Sequence, residues 1–104
     1  MIRNIKIDND EVLTALFVVV AIGCDDLNLK GKNYIRLRSS IIKEFDRVST
    51  LGDNLKRTGA PCVLSITQEA HELIDKAFDV FQIKTISAVL VEQALDAFST
   101  AEKV

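Results

Sequence analysis

The chain is poor in the residues on which most protein chemistry depends. Its 104 residues include one histidine, two cysteines, one proline, four glycines and no tryptophan. His71 is the sole side chain that titrates near neutrality. It stands in Gln68-Glu69-Ala70-His71-Glu72, on the polar side of a regular helical pattern, where a surface position is expected. Cys24 and Cys62 are 38 positions apart and belong to no C-x-x-C pair. Zinc-ligand spacing is therefore absent. Each cysteine borders an apolar run and reads as a small buried hydrophobe in a reducing compartment. No glycine-rich loop follows a strand, which leaves nucleotide phosphates without a cradle. Asp25 and Asp26 are adjacent, so their side chains diverge instead of forming a carboxylate pair. These absences argue against an enzyme, and no cofactor or metal is expected.

Membrane and export signals are also short of what they need. The apolar run Thr14 to Cys24 is preceded by Asp8, Asp10 and Glu11, where a signal peptide would carry positive charge. It also falls short of the ~20 apolar residues that span a bilayer. A soluble, cytoplasmic protein is expected. Hydrophobic residues make up 48% of the chain and charged residues 27%, enough apolar surface to form a core and too much for general disorder.

The net charge of −2 conceals a partition. Residues 1 to 29 hold two bases and five acids, 30 to 57 eight bases and three acids, and 58 to 104 three bases and seven acids. The one concentrated block of positive charge therefore lies in the middle of the chain. The Thr-Gly-Ala-Pro stretch at 58 to 61 punctuates two regions, 1–58 and 59–104, expected to share one compact domain.

The element pattern predicts a mainly α protein of about four helices with one or two short strands. Residues 2 to 7 alternate weakly enough to allow a short strand. Asp8 or Asn9 caps a first helix running to about Ile22, apolar on every side from Ala15, with Gly23 as its stop. A buried strand over Phe17 to Ile22 is the competing reading, since three consecutive valines favour extended backbone. After a loop at 24 to 32, Tyr34, Leu37, Ile41, Phe45 and Val48 set one face of a second helix, with Gly52 ending or kinking it. At ~100° per residue, Lys32, Arg36, Lys43 and Arg47 fall together on the nearly opposite face. That row is either a solvated flank or a line of cations for phosphate. Cys62 to Ile66 reads as a strand and Thr67 as a helix cap. Ala70, Leu73, Ile74, Ala77, Phe78 and Phe81 then keep helical spacing without a miss. Thr85 caps a last helix through Ile86, Leu90, Val91, Ala94, Leu95 and Phe98, whose apolar arc is wide enough to suggest a partner chain.

A strand, a capped helix, a short turn and a second capped helix occur in that order from Pro61 to Ser99. Ile66-Thr67-Gln68-Glu69-Ala70, Lys84-Thr85-Ile86-Ser87 and Glu92-Gln93-Ala94-Leu95-Asp96-Ala97-Phe98 carry the pattern, which resembles the ribbon-helix-helix unit of Arc and methionine-repressor type proteins. The resemblance covers about 40 of the 104 residues. It implies an intertwined homodimer whose two strands form an antiparallel ribbon in the DNA major groove. It also implies that Cys62, Leu64 and Ile66 face inward and Pro61, Val63 and Ser65 outward. Lys84, Thr85 and the amides of Ile86 and Ser87 would then hold a phosphate at the helix start.

Two functions are therefore expected from these residues. One is a small regulator binding double-stranded DNA through Lys32, Arg36, Lys43, Arg47, Ser65, Lys84 and Thr85. The other is a protein-binding inhibitor, immunity or antitoxin-like module of phage or plasmid type. Its partner surface would be the acidic row Glu69, Glu72, Asp75 and Asp79, which otherwise is a solvated helix face.

Overall fold

Ile5 and Ile7, two steps apart and followed by a polar run, put one side of an extended segment against apolar neighbours. A computed structural model describes residues 2–8, 10–58, 62–83 and 87–103, with backbone alone for 49–58, 62, 102 and 103. Within them the order is β1 (Ile2–Ile7), α1 (Asp10–Leu27), α2 (Lys32–Thr58), β2 (Cys62–Thr67), α3 (Gln68–Val80), α4 (Ala88–Ser99) and β3 (Glu102–Lys103). The protein is mainly helical with four helices, as the pattern predicts. Among the described residues, no helix is long and apolar enough to cross a membrane.

The strands form one antiparallel sheet in the order β2-β1-β3. Ile5 faces Leu64, Arg3 faces Ile66 and Asn4 faces Ser65. Because side chains alternate along a strand, this register sorts them onto two faces. Ile5, Ile7, Leu64 and Ile66 are buried in the core, whereas Val63 and Ser65 are exposed, which is the orientation the resemblance implies. Pro61 and the Cys62 side chain lie outside the described residues. The strand likened to a repressor ribbon is thus paired inside its own chain, with β1. The two regions of the sequence share that sheet and a single apolar cluster that runs from Ile5 through Leu16, Ile41 and Ile74 to Phe98.

α1 packs on α3 and α4, and its Leu13, Leu16, Val20 and Cys24 join the buried cluster. Helix, not strand, is the state of Phe17 to Ile22. The expectation of burial on every side needs correcting: Phe17 and Ile22 are 38% and 46% exposed. The helix also continues past Gly23, so residues 24–27 are helical and not loop. Gly23 serves close packing instead of termination, since a Cβ there would lie 2.6 Å from the Ala77 carbonyl oxygen and 2.8 Å from its Cβ. The turn falls at Asn28, whose φ of 53° is the left-handed conformation common just after a helix. Arg38 of α2 then closes this end by donating to the Ala21 carbonyl, at 3.2 Å, and to Asp25 Oδ1, at 2.5 Å. Tyr34 Oη donates to the Cys24 carbonyl at 3.2 Å. Burial pushes the Cys24 thiol up from its ordinary value, which keeps it protonated and unreactive.

α2 buries Ile41, Phe45 and Val48 and half-buries Tyr34 and Leu37, the face its spacing predicts. It runs through Gly52 to Thr58 without stopping. One interior glycine costs a helix only about 1 kcal/mol, less than a long, well-anchored helix recovers from packing. α3 starts as expected, with Thr67 Oγ1 accepting from the Ala70 amide at 3.1 Å. α4 begins at Ala88, later than the predicted cap; Ser87 occupies the cap position and its side chain makes no capping bond.

His71 departs from its expected surface place. It is half-buried, its ring stacked on Phe98 of α4 with centroids 4.1 Å apart. Burial, then the Arg3 guanidinium, hold its pKa below the ordinary 6.5, against the pull of Asp75, Glu72 and a hydrogen bond to the Phe98 backbone. The folded imidazole stays neutral at a pH where the unfolded chain has already taken up a proton. Its contribution to stability is complete above pH 6.5 and is lost as pH falls through the lower folded value. Urea midpoints measured at about pH 7.5 and about pH 5 are expected to drop less for His71→Phe than for the parent. Equal drops would remove the imidazole from the acid response.

Candidate nucleic-acid interface

The register that buries Ile5 and Leu64 turns Ile2, Asn4, Lys6, Val63, Ser65 and Thr67 to the opposite face of the sheet. Four of these six carry hydrogen-bonding side chains. Ser65 Oγ donates to Asn4 Oδ1 across the strands at 2.8 Å, fixing both groups in the middle of the ribbon. Thr67 already accepts from the first turn of α3, and Lys6 is exposed beside Val63.

α2 lies along the outer edge of β2 and runs antiparallel to it. Arg36 and Ser40 border the same open cavity, about 480 Å3, as Ile2, Thr67, Gln68 and Glu69. One turn on, Glu44 Oε1 accepts from the Ser65 amide at 2.9 Å. A further turn on, Arg47 Nη2 donates to the Val63 carbonyl at 2.9 Å. Helical periodicity therefore sets Arg36, Ser40, Lys43 and Arg47 in a row beside the polar face of the ribbon.

The predicted basic residues separate into two groups. Lys32, Arg36 and Lys43 are exposed. Arg47 is engaged by Glu44 as well as by Val63, and Ser65 has both its amide and its hydroxyl in use. The Arg47 guanidinium, then the Ser65 amide, hold the Glu44 carboxyl below its ordinary value against the opposing effect of burial. Ion pairing makes these two charges largely cancel, so among the predicted and described basic residues of α2 the exposed ones without that pairing are Lys32, Arg36 and Lys43, with Lys6 exposed on the adjoining ribbon. Lys84 and Thr85 lie outside the described residues.

The acidic row is displayed as expected. Glu69, Glu72, Asp75 and Asp79 are all exposed along α3, and Gln68 Nε2 makes a long contact of 3.4 Å with Glu72 Oε1. Glu69 also borders the Arg36 cavity, where the basic and acidic surfaces meet. Among the described residues, no group of three or more His, Cys, Asp or Glu side chains has metal-binding geometry.

Asn4, Lys6 and Thr67 stand outside the set of residues that the sequence predicts for the site. The alternation Ile5-Lys6-Ile7 carries the signal for Lys6, because a strand with Ile5 and Ile7 inward must turn Asn4 and Lys6 outward. The sequence marks Thr67 as a helix cap alone, and its place opposite Ile2 follows from a pairing that no local pattern announces. No protein-family model, curated protein or solved structure matches the chain.

Proposed function

We propose that the protein binds double-stranded DNA through the polar face of the β1–β2 ribbon and the exposed cations of α2. The observation that carries this reading is the placement of Arg36 and Ser40 on one cavity with Thr67, which sets a basic row beside a ribbon face bearing donors and acceptors. A two-stranded antiparallel ribbon fits the B-DNA major groove. In ribbon-helix-helix proteins the ribbon comes from two chains; in this reading β1 supplies the second strand. Asn4, Lys6, Ser65 and Thr67 meet base edges, while Lys32, Arg36 and Lys43 take phosphates. The chemistry is regulation by occupancy and involves no covalent step.

Fluorescence anisotropy with a labelled duplex of roughly 20 base pairs, about two helical turns, tests it. Replacing Lys32, Arg36 and Lys43 together by Ala is expected to weaken binding at least tenfold at low salt. It should also flatten the plot of log affinity against log salt by about 2.7, at ~0.9 per lost phosphate contact. A parent protein that binds no duplex at low salt ends this reading.

The acidic row supports a second one. Four carboxylates stand exposed on one helix whose single lysine or arginine is Lys76. A basic protein partner would dock there, and changing Glu69, Glu72, Asp75 and Asp79 to their amides should abolish its capture without altering the circular dichroism. Unchanged capture would rule the surface out.

A further inference from the structure

Of the five phenylalanines, Phe17 alone is exposed. Its ring meets that of Phe45 from α2 edge to face, with centroids 5.3 Å apart and planes at 74°. Beside the pair lies a cavity of about 200 Å3, lined by Asp10, Leu13, Thr14 and Phe17 of α1 and by Phe45 and Asp46 of α2. The four α1 residues are spaced i, i+3, i+4 and i+7, so they form one stripe of that helix. Two helices thus bring two aromatic rings, a leucine and two carboxylates to one hollow.

Each part of the lining excludes something. The carboxylates of Asp10 and Asp46 repel an anion, and among the described lining residues there is no lysine or arginine. Two carboxylates are too few oxygen groups for a calcium ion, which takes six to eight. Thr14 Oγ1 is turned to its own helix, donating to the Asp10 carbonyl at 3.1 Å. Leu13 and Phe45 are buried and make the inner wall apolar. What suits these walls is a cation with an apolar surface. Aromatic faces are electronegative and attract a cation within about 6 Å of the ring centre, and two rings nearly at right angles form two walls of a corner. A quaternary ammonium has its charge wrapped in methyl groups, so it enters without giving up hydrogen bonds of its own. The volume lies below the ~300–1,000 Å3 of ordinary ligand clefts, which limits the occupant to one small group. We propose that the cavity between α1 and α2 binds the quaternary ammonium group of a small organic cation.

The test is a titration with choline chloride, followed by the ring-proton NMR signals of Phe17 and Phe45, at an ionic strength held constant with sodium chloride. The cavity shares no residue with the proposed DNA surface and the titration contains no nucleic acid, so its outcome stands apart from the DNA reading. Choline is expected to give saturating shifts with a dissociation constant on the order of 1 mM. Its uncharged isostere 3,3-dimethylbutan-1-ol should bind more weakly, for want of charge. Glycine betaine, which carries the same trimethylammonium group with a carboxylate, should be rejected by Asp10 and Asp46. Phe17→Leu, which keeps an apolar side chain and removes the ring, is expected to weaken choline about two- to fivefold. Acetylated trimethyllysine amide is expected to bind no tighter than choline; tighter binding would give the group a protein source instead of a free one. No saturating shift at either ring, equal binding of the neutral alcohol or of betaine, or a folded Phe17→Leu protein that binds choline as tightly as the parent would each overturn the proposal. Should Phe17→Leu not fold, the comparison of the three ligands on the parent protein decides it.

Discussion

Gly23→Ala is expected to destabilise the protein by about 1–3 kcal/mol, the usual range for overpacking a well-filled site. The direction runs against helix propensity, which favours alanine over glycine by about 1 kcal/mol in a helix interior. Space decides the sign. The added Cβ would meet the Ala77 carbonyl at 2.6 Å, and a backbone oxygen within α3 cannot turn aside as a flexible side chain could. α1 and α3 must separate along their contact, and the loss spreads to Leu16, Val20, Leu73 and Ile74, all of them buried. For a chain of this length each kcal/mol corresponds to roughly 4–8 °C of melting temperature, so a thermal melt resolves the effect. Ala77→Gly in the same chain removes one of the two clashing atoms and should restore part of the loss. A Gly23→Ala protein at least as stable as its parent would show that the two helices do not require the close approach.

Phe98→Ala should have the larger effect, about 3–5 kcal/mol, as for other buried aromatic rings cut to a methyl group. Phe98 is 2% exposed and ties α4 to α3. Its ring stacks on His71 and lies 5.3 Å, centroid to centroid, from Phe78, both on α3. Its own helix leads directly into the Ala101 carbonyl, which accepts from Arg3 of the central strand at 3.3 Å. Native stabilities of about 5–15 kcal/mol leave little margin for such a loss. Urea unfolding at pH 7.5 or so measures it. With the stacking partner gone, His71 should also titrate closer to its ordinary value, visible in its proton NMR shifts. A loss under about 1 kcal/mol would mean that the site collapses on the gap.

The helical part of this fold is legible in the sequence because amphipathic spacing is a local property. Ala70 to Phe81 and Tyr34 to Val48 can be read residue by residue, and their buried faces are those the spacing names. Glycines are where local reading fails. Gly23 and Gly52 look like stops, yet one is a point of contact with Ala77 and the other lies within a continuous helix. Whether a missing side chain breaks a helix or admits a neighbour depends on what packs there. The sheet is hidden for a related reason. Both strands could be suspected, but Ile5 and Leu64 are brought together by register over a long stretch of chain. The candidate site inherits that difficulty: Lys32, Arg36 and Lys43 are exposed as predicted, while the engagement of Arg47 and Ser65 follows from the side of β2 that α2 adjoins.

The central position of β1 bears on how this chain acquires its fold as it is made. β1 is synthesised before either strand it pairs with, for Ile5 meets Leu64 and Arg3 meets Lys103. At ~5–20 residues per second, translation from β1 to β3 takes roughly 5–20 s. Helices form in about a microsecond, so α1 and α2 are helical long before the central strand has a neighbour, and Ile5 and Ile7 wait uncovered beside them. The final assembly is therefore a late, non-local event, slower than the helix content alone would suggest, and holding factors that shield short apolar segments would act during that wait.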